Sequence, residues 1–289
     1  MDVFASLDLI TNHELTYFHQ VHTAAALQDV IRPLGLAVIG LTVLGLGLNY
    51  IMARGVKPVT KSLGKEDESA PVVERYRKTT RILHWVHAGA FSILFLTGLI
   101  FFISPSGVLA QNNLLRIIHQ VAAVIFIVAP LIYLPLNWKA AARGIREAFI
   151  WGKEDLDWLN AAPRYYYLCD EEAMPPQERL NTGQKVWWLL VIVTWPIFVI
   201  SGVIMWAFET DVPAVFLQSV VFIHDAAFII TGSMFFVHIY MSIVHPLAHP
   251  LRTGSWRAMT RGTVSVEYAK SHHAKWYQGI IQARQTGER

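Results

Sequence analysis

The chain has 289 residues, 54% hydrophobic and only 16% charged, with a mean hydropathy of +0.38. A water-soluble domain carries about a quarter charged residues, so the composition excludes that class and indicates an integral membrane protein. The single cysteine, Cys169, excludes a cysteine-ligated iron–sulfur cluster, a C-x-x-C-H haem attachment and a disulfide framework within the chain. Net charge is +3, so the placement of the basic residues carries more than their sum, and no nucleic-acid partner is expected.

Met1–Asp29 lacks a basic n-region and a small-residue cleavage site, so it does not read as a signal peptide. Its His13, His19 and His22 are expected on an external amphipathic segment. Five apolar stretches then follow, each long enough to cross about 30 Å of hydrocarbon as a helix. They are Val30–Met52, Ile82–Ile103, Ile117–Leu136, Val186–Phe208 and Phe216–Val244. Gly35, Gly40, Gly45 and Gly47 in the first allow close packing against a neighbour, and this span reads as a peripheral addition to a four-helix core. Pro33 falls in its first turn, whereas Pro130 and Pro196 fall inside spans and predict kinks. Ten Trp and ten Tyr suit two interfacial belts.

The basic residues orient the spans. None precedes the first span, while Arg54–Arg81 holds eight. Ser104–Arg116 has only Arg116, Lys139–Lys185 has seven beside eight carboxylates, Glu209–Val215 has none, and the stretch from His245 onward has seven. This alternation places the N-terminus outside and the C-terminus in the cytoplasm. The fold class is therefore all-α integral membrane protein, a four-helix core with one extra N-terminal transmembrane helix. Its parts are 1–78 (external tail, extra helix and basic linker), the core 79–250, and a cytoplasmic tail 251–289.

Ionisable groups inside a bilayer are costly and normally mark function. His84 begins the second span on the cytoplasmic side, and His119 begins the third on the outer side. His224 and His238 share the fifth, 14 residues apart. That is about 21 Å along the axis, and their directions differ by only about 40°. By depth they pair as His84/His238 and His119/His224. Two facing imidazoles can clamp one haem iron, so two b-type haems are expected. Zinc or copper stays open, although no carboxylate or thiol completes such a site. His87, one turn from His84, is a competing ligand. Arg81 and Arg116 each stand three residues before a histidine, one turn nearer the water, where an arginine can pair with a haem propionate. Small residues (Ala88, Gly89, Ala122, Ala123, Ala226, Ala227) would leave room for a flat macrocycle. His245 and His249 read as surface residues, and His272 and His273 as tail residues facing a partner or solvent.

At the cytoplasmic start of the fourth span, Asn181 is a good N-cap, and Gly183 would allow a ligand to approach the backbone. The alternative is a capped helix start and nothing more.

Over Thr79–Ile280 the chain resembles the cytochrome b (gamma) subunit of respiratory formate dehydrogenases. The resemblance is carried by Arg81–Trp85, Arg116–His119, the Asn181-Thr182-Gly183-Gln184-Lys185 run, the His224/His238 spacing and Met259–Tyr277. It implies an outer haem b on His119 and His224 and an inner one on His84 and His238. It further implies a menaquinone-type pocket using Asn181, Gly183 and Gln184, with menaquinone or ubiquinone as acceptor. The implied partners are an iron–sulfur subunit and a molybdenum or tungsten formate dehydrogenase catalytic subunit, in a bacterial inner membrane. Electrons would enter outside, reach quinone near the cytoplasm and generate proton-motive force; no catalytic residue for substrate oxidation is found in this chain. The extra first span departs from the family pattern. Two alternatives stay open: the cytochrome b subunit of a membrane-bound hydrogenase or thiosulfate-type reductase, and a transporter that relays protons through histidines.

Overall fold

The computed structural model describes residues 3–57, 59, 71–104, 109, 112–248 and 254–286, with side chains from Leu27 onward; His13, His19, His22 and His249 therefore lie outside the described side chains. Its helices are α1 (Val3–Ala53), α2 (Lys78–Ile103), α3 (Asn113–Leu136), α4 (Trp138–Phe149), α5 (Lys153–Leu168), α6 (Thr182–Ala207), α7 (Ala214–Ile239), α8 (Gly254–Thr260), α9 (Val266–His272) and α10 (Ala274–Thr286). Two short strands, β1 (Val72–Glu74) and β2 (Thr263–Ser265), pair antiparallel with Val73 opposite Val264.

Five helices are long and apolar enough to cross a membrane: Leu27–Ala53, Lys78–Ile103, Asn113–Leu136, Thr182–Ala207 and Ala214–Val244. The chain is an all-α integral membrane protein. Three of the five begin about a turn before the apolar run does, because a helix start needs partners for its free N–H groups. Asn112 accepts from Leu115 N at 3.1 Å to start α3. Asn181 and Gln184 form a reciprocal capping box at α6, Gln184 N to Asn181 Oδ1 at 2.9 Å and Asn181 N to Gln184 Oε1 at 3.1 Å. Leu41, Leu44, Leu131, Ile132 and Ile200 all point outward, as lipid-facing side chains do.

The helices run through Pro130 and Pro196. Pro130 has no N–H for the carbonyl of Phe126, and Trp195 of α6 supplies the missing donor, Nε1 to Phe126 O at 3.3 Å.

The first span is not peripheral. It shares one core with the bundle, where Ile31 and Ile39 of α1 join Phe95 and Phe102 of α2 and Phe228 and Ile229 of α7. Among its glycines only Gly35 makes a close approach: a Cβ there would stand 2.5 Å from Ile229 Cδ1, whereas nothing lies within 4 Å of one at Gly40, Gly45 or Gly47. Polar contacts fix the register against α7. Tyr240 Oη donates to Asn49 Oδ1 at 2.6 Å. With its amide oriented to satisfy both neighbours, Gln28 donates to Asp225 Oδ2 at 3.1 Å and accepts from Phe222 N at 3.2 Å.

The segments flanking the core join into one cap at the end of the bundle. Residues 71–77 and 254–286 meet through the strand pair and through a cluster of Val73, Ala258, Val264 and Ala269. Gly262 enters the pair at φ +86°, where a Cβ would stand 2.7 Å from Tyr76 O. Beside the cap, Lys185 is buried in an ion pair, with Nζ 2.8 Å from both Asp155 oxygens and 2.9 Å from Ile150 O. Thr182 Oγ1 donates to Asp155 as well, at 2.8 Å. Removing one member strands a buried charge, so Lys185→Met or Asp155→Leu should each cost about 3–5 kcal/mol, and the double variant distinctly less. Thermal unfolding in detergent measures this.

Candidate functional site

At the capped end of the bundle, α2 and α7 bring His84 and His238 face to face, with ring centroids 6.4 Å apart and planes at 54°. Metal–imidazole bonds run about 2.0–2.1 Å and a ring nitrogen sits about 1.1 Å from its centroid, so two imidazoles that share one metal stand at most about 6.3 Å apart. The observed spacing fits a bis-histidine iron. His238 lies flat on Trp187, at 4.8 Å and 10°. His87, one turn along α2, packs its ring against α3 instead, 4.2 Å from that of Phe126.

At the other end, His119 of α3 reaches the face of α7 that carries His224 one turn earlier: a Cβ on Gly98 of α2 would stand 3.8 Å from His119 Cε1 and 3.5 Å from Phe228 Cε2. Each histidine is held by a hydroxyl from the helix preceding its own, Thr97 Oγ1 on His119 Nδ1 and Ser201 Oγ on His224 Nδ1, both at 2.7 Å. Among the described residues no three His, Cys, Asp or Glu side chains group to hold a metal ion. Of the small residues expected to make room for a macrocycle, Ala122 and Ala227 are packed against protein at 2% and 5% exposure, and Gly89 faces outward. Ala88, Ala123 and Ala226 remain half-buried.

Arg81 and Arg116 already engage protein groups. Arg81 Nη1 donates to Thr260 O and ties α2 to the cap, while Arg116 Nη2 meets Glu209 Oε2 at 3.2 Å across the opposite end of the bundle. Each guanidinium has five N–H donors, so neither pairing exhausts it.

The Asn181–Lys185 run sits under the cap. The carboxamide oxygens of Asn181 and Gln184 are both committed, to the capping box and, for Gln184 Oε1, also to Arg75 Nη2 at 3.2 Å. Their NH₂ groups make no hydrogen bond among the described residues and are half-buried. The space above Gly183 belongs to Trp158, whose Cη2 would be 3.1 Å from a Cβ there, so this glycine admits an indole rather than a ligand.

Two histidines expected at the surface are buried. His245 accepts from Leu247 N at 3.2 Å through Nδ1 and meets Tyr166 O at 2.9 Å through Nε2, which a polar exit loop alone does not reveal. His273 is fully buried, with Nδ1 donating to Glu178 O at 2.7 Å and Nε2 accepting from Arg75 Nη1 at 2.7 Å. His272 stacks on Tyr268 at 4.1 Å, so neither member of the pair is a free tail residue. Sequence reading missed Arg75, Thr97, Trp187, Ser201 and His273. The repeated hydroxyl–glycine pairs Thr97-Gly98 and Ser201-Gly202 inside apolar spans were the available signal.

A family model for prokaryotic cytochrome b561 matches residues 75–262. The chain belongs to the prokaryotic cytochrome b561 family. All four paired histidines, with Thr97 and Ser201, lie within the matched region. Relatives of this cytochrome b561 chain include the formate dehydrogenase cytochrome b556 subunit of Haemophilus influenzae, 26% identical over 73% of this chain and 84% of that subunit. The cytochrome b556(fdo) subunit of Escherichia coli is 25% identical over 72% and 93% of the two chains. The nitrate-inducible cytochrome b556(Fdn) subunit of Escherichia coli is 26% identical over 73% and 93%. The cytochrome b561 chain is thus a multi-pass bacterial membrane protein of electron transfer, similar to the cytochrome b subunits of formate dehydrogenases.

Burial first, and then Arg75, hold His273 well below its ordinary pKa of 6.5. The unfolded imidazole binds a proton below that value and the folded one does not. The stability it confers is therefore complete above pH 6.5 and lost as pH falls below it. Proteolysis of the C-terminal cap should accelerate from about pH 7.5 to about pH 5.5, and His273→Asn should flatten that dependence.

Proposed function

We propose that the chain holds two b-type haems and conducts electrons from an external iron–sulfur subunit of a formate dehydrogenase-type complex to quinone at the cytoplasmic face of the bacterial inner membrane. The observation that supports the reading is a histidine pair at each end of one bundle, His84/His238 at the capped end and His119/His224 at the other. The relatives' names support formate dehydrogenase as the partner. Bound haem supplies a one-electron carrier at each end. The chain orients the ligands, keeps water from them by packing α2, α3, α6 and α7 together, and offers Arg81 and Arg116 to the propionates.

At the inner end, Asn181 and Gln184 hold quinone through their NH₂ groups, because the quinone oxygens are acceptors and the carboxamide oxygens are already committed. Reduction takes two electrons from the chain and two protons from cytoplasmic water, giving quinol.

The haem assignment is tested by a pyridine haemochrome assay on the purified complex, which should give two haems b per chain. His119→Ala and His224→Ala should deplete the same haem, and His84→Ala and His238→Ala the other. A purified complex without a Soret band would overturn the haem assignment.

The quinone assignment needs substitutions that spare the helix cap. Asn181→Asp with Gln184→Glu keeps both capping oxygens and removes both amide donors. It should leave both haems reducible by the partner yet weaken quinone by about 1–3 kcal/mol, roughly 5- to 150-fold. Stopped-flow reoxidation with a soluble quinone reads this, and normal reoxidation would leave the run as a cap alone.

A further inference from the structure

The two outer histidines are held in the same way twice. Thr97 Oγ1 lies 2.7 Å from Ile93 O and 2.7 Å from His119 Nδ1. Ser201 Oγ lies 2.5 Å from Ile197 O and 2.7 Å from His224 Nδ1. A hydroxyl has one hydrogen and a carbonyl has none, so the short contact to each carbonyl requires the hydroxyl to donate there. The contact to imidazole is then satisfied only when Nδ1–H donates to the hydroxyl oxygen. Nε2 is left with its lone pair free, which is the form of histidine that binds a metal. The inner pair has no such device. His84 Nδ1 is buried with no hydrogen-bond partner among the described residues, and His238 is held by stacking on Trp187.

We infer that Thr97 and Ser201 are positioning residues that fix His119 and His224 in the Nδ1–H tautomer and hold the reduction potential of the outer haem below that of the inner one. An acceptor on Nδ1–H makes the imidazole a stronger electron donor to its metal, which favours the oxidised ion. Both ligands of one site carry that acceptor, and His84 of the other carries none. The difference makes transfer from the outer to the inner end downhill. The inference rests on the ligand assignment proposed above.

The test is a redox titration of the purified, haem-loaded complex, followed by visible and low-spin EPR spectra, with the outer haem identified by its loss in His119→Ala. Thr97→Val keeps the shape and removes the hydroxyl, and Ser201→Ala does the same for the other ligand. Each should raise the outer potential enough to change its oxidised-to-reduced ratio at least threefold at fixed potential, about 28 mV at 59 mV per tenfold. The outer EPR signal should move with it, the inner haem should stay unmoved, and Thr97→Ser should restore the parent value. Two haems with unchanged potentials in Thr97→Val and Ser201→Ala would overturn the inference and leave the hydroxyls as helix back-bonds. An equal shift in Thr97→Ser would overturn it too, by making the effect one of packing. A parent complex with fewer than two haems per chain would instead sink the ligand assignment and, with it, this inference.

Discussion

Hydrocarbon offers a polar group no water to bond, so a nitrogen or oxygen carried into the bilayer needs a partner supplied by the chain. Much of the architecture follows from that constraint. Pro130 frees the carbonyl of Phe126, and Trp195 on another helix answers it. Asn49 on the first span meets Tyr240, and Gln28 meets Asp225, the neighbour of His224 on α7. These pairs set the depth of each helix against its neighbour, which apolar packing alone does weakly because lipid tails are as apolar as leucine. The first span thereby becomes part of the core and holds α7, the helix that contributes one histidine to each pair.

The same constraint operates on the histidines themselves. An imidazole has two nitrogens, and binding a metal with one requires the other to be satisfied or tolerated. On the outer pair a hydroxyl from the preceding helix takes that second nitrogen, α2 serving α3 and α6 serving α7. The two halves of the bundle thus solve one problem in one way, with Thr in one and Ser in the other. At the inner end the solution differs, since an aromatic face supports His238.

The capped end, which holds His84 and His238, is also where distant parts of the chain converge. Arg75 precedes α2 and His273 follows the last span, yet they bond to each other, and Arg75 bonds Gln184. Water-facing segments can fold over the bundle only by burying their own polar groups in pairs, and Lys185 with Asp155 is a second buried pair of this kind. The cap therefore shapes the surroundings of the Asn181–Lys185 run without contributing a residue of that run.

The spans and the depth of each histidine were legible in the residues because they depend on local quantities: apolar length, and 1.5 Å of rise per residue. The starts of α3 and α6 moved outward by about a turn because capping bonds rather than hydropathy set them, as Asn112 and Asn181 show. What the chain could not disclose was which polar group answers which across helices. Whether His84 or His87 turns toward His238, whether Gly183 faces a ligand or Trp158, and whether His273 is free or locked on Arg75 all depend on helix rotation and on contacts between residues far apart in sequence. By itself the sequence determined a five-span helical membrane protein with histidines at two depths. Only the tertiary structure decided their partners, because a hydrogen bond requires two atoms to meet in space, and no pattern along one helix specifies the rotation of the next.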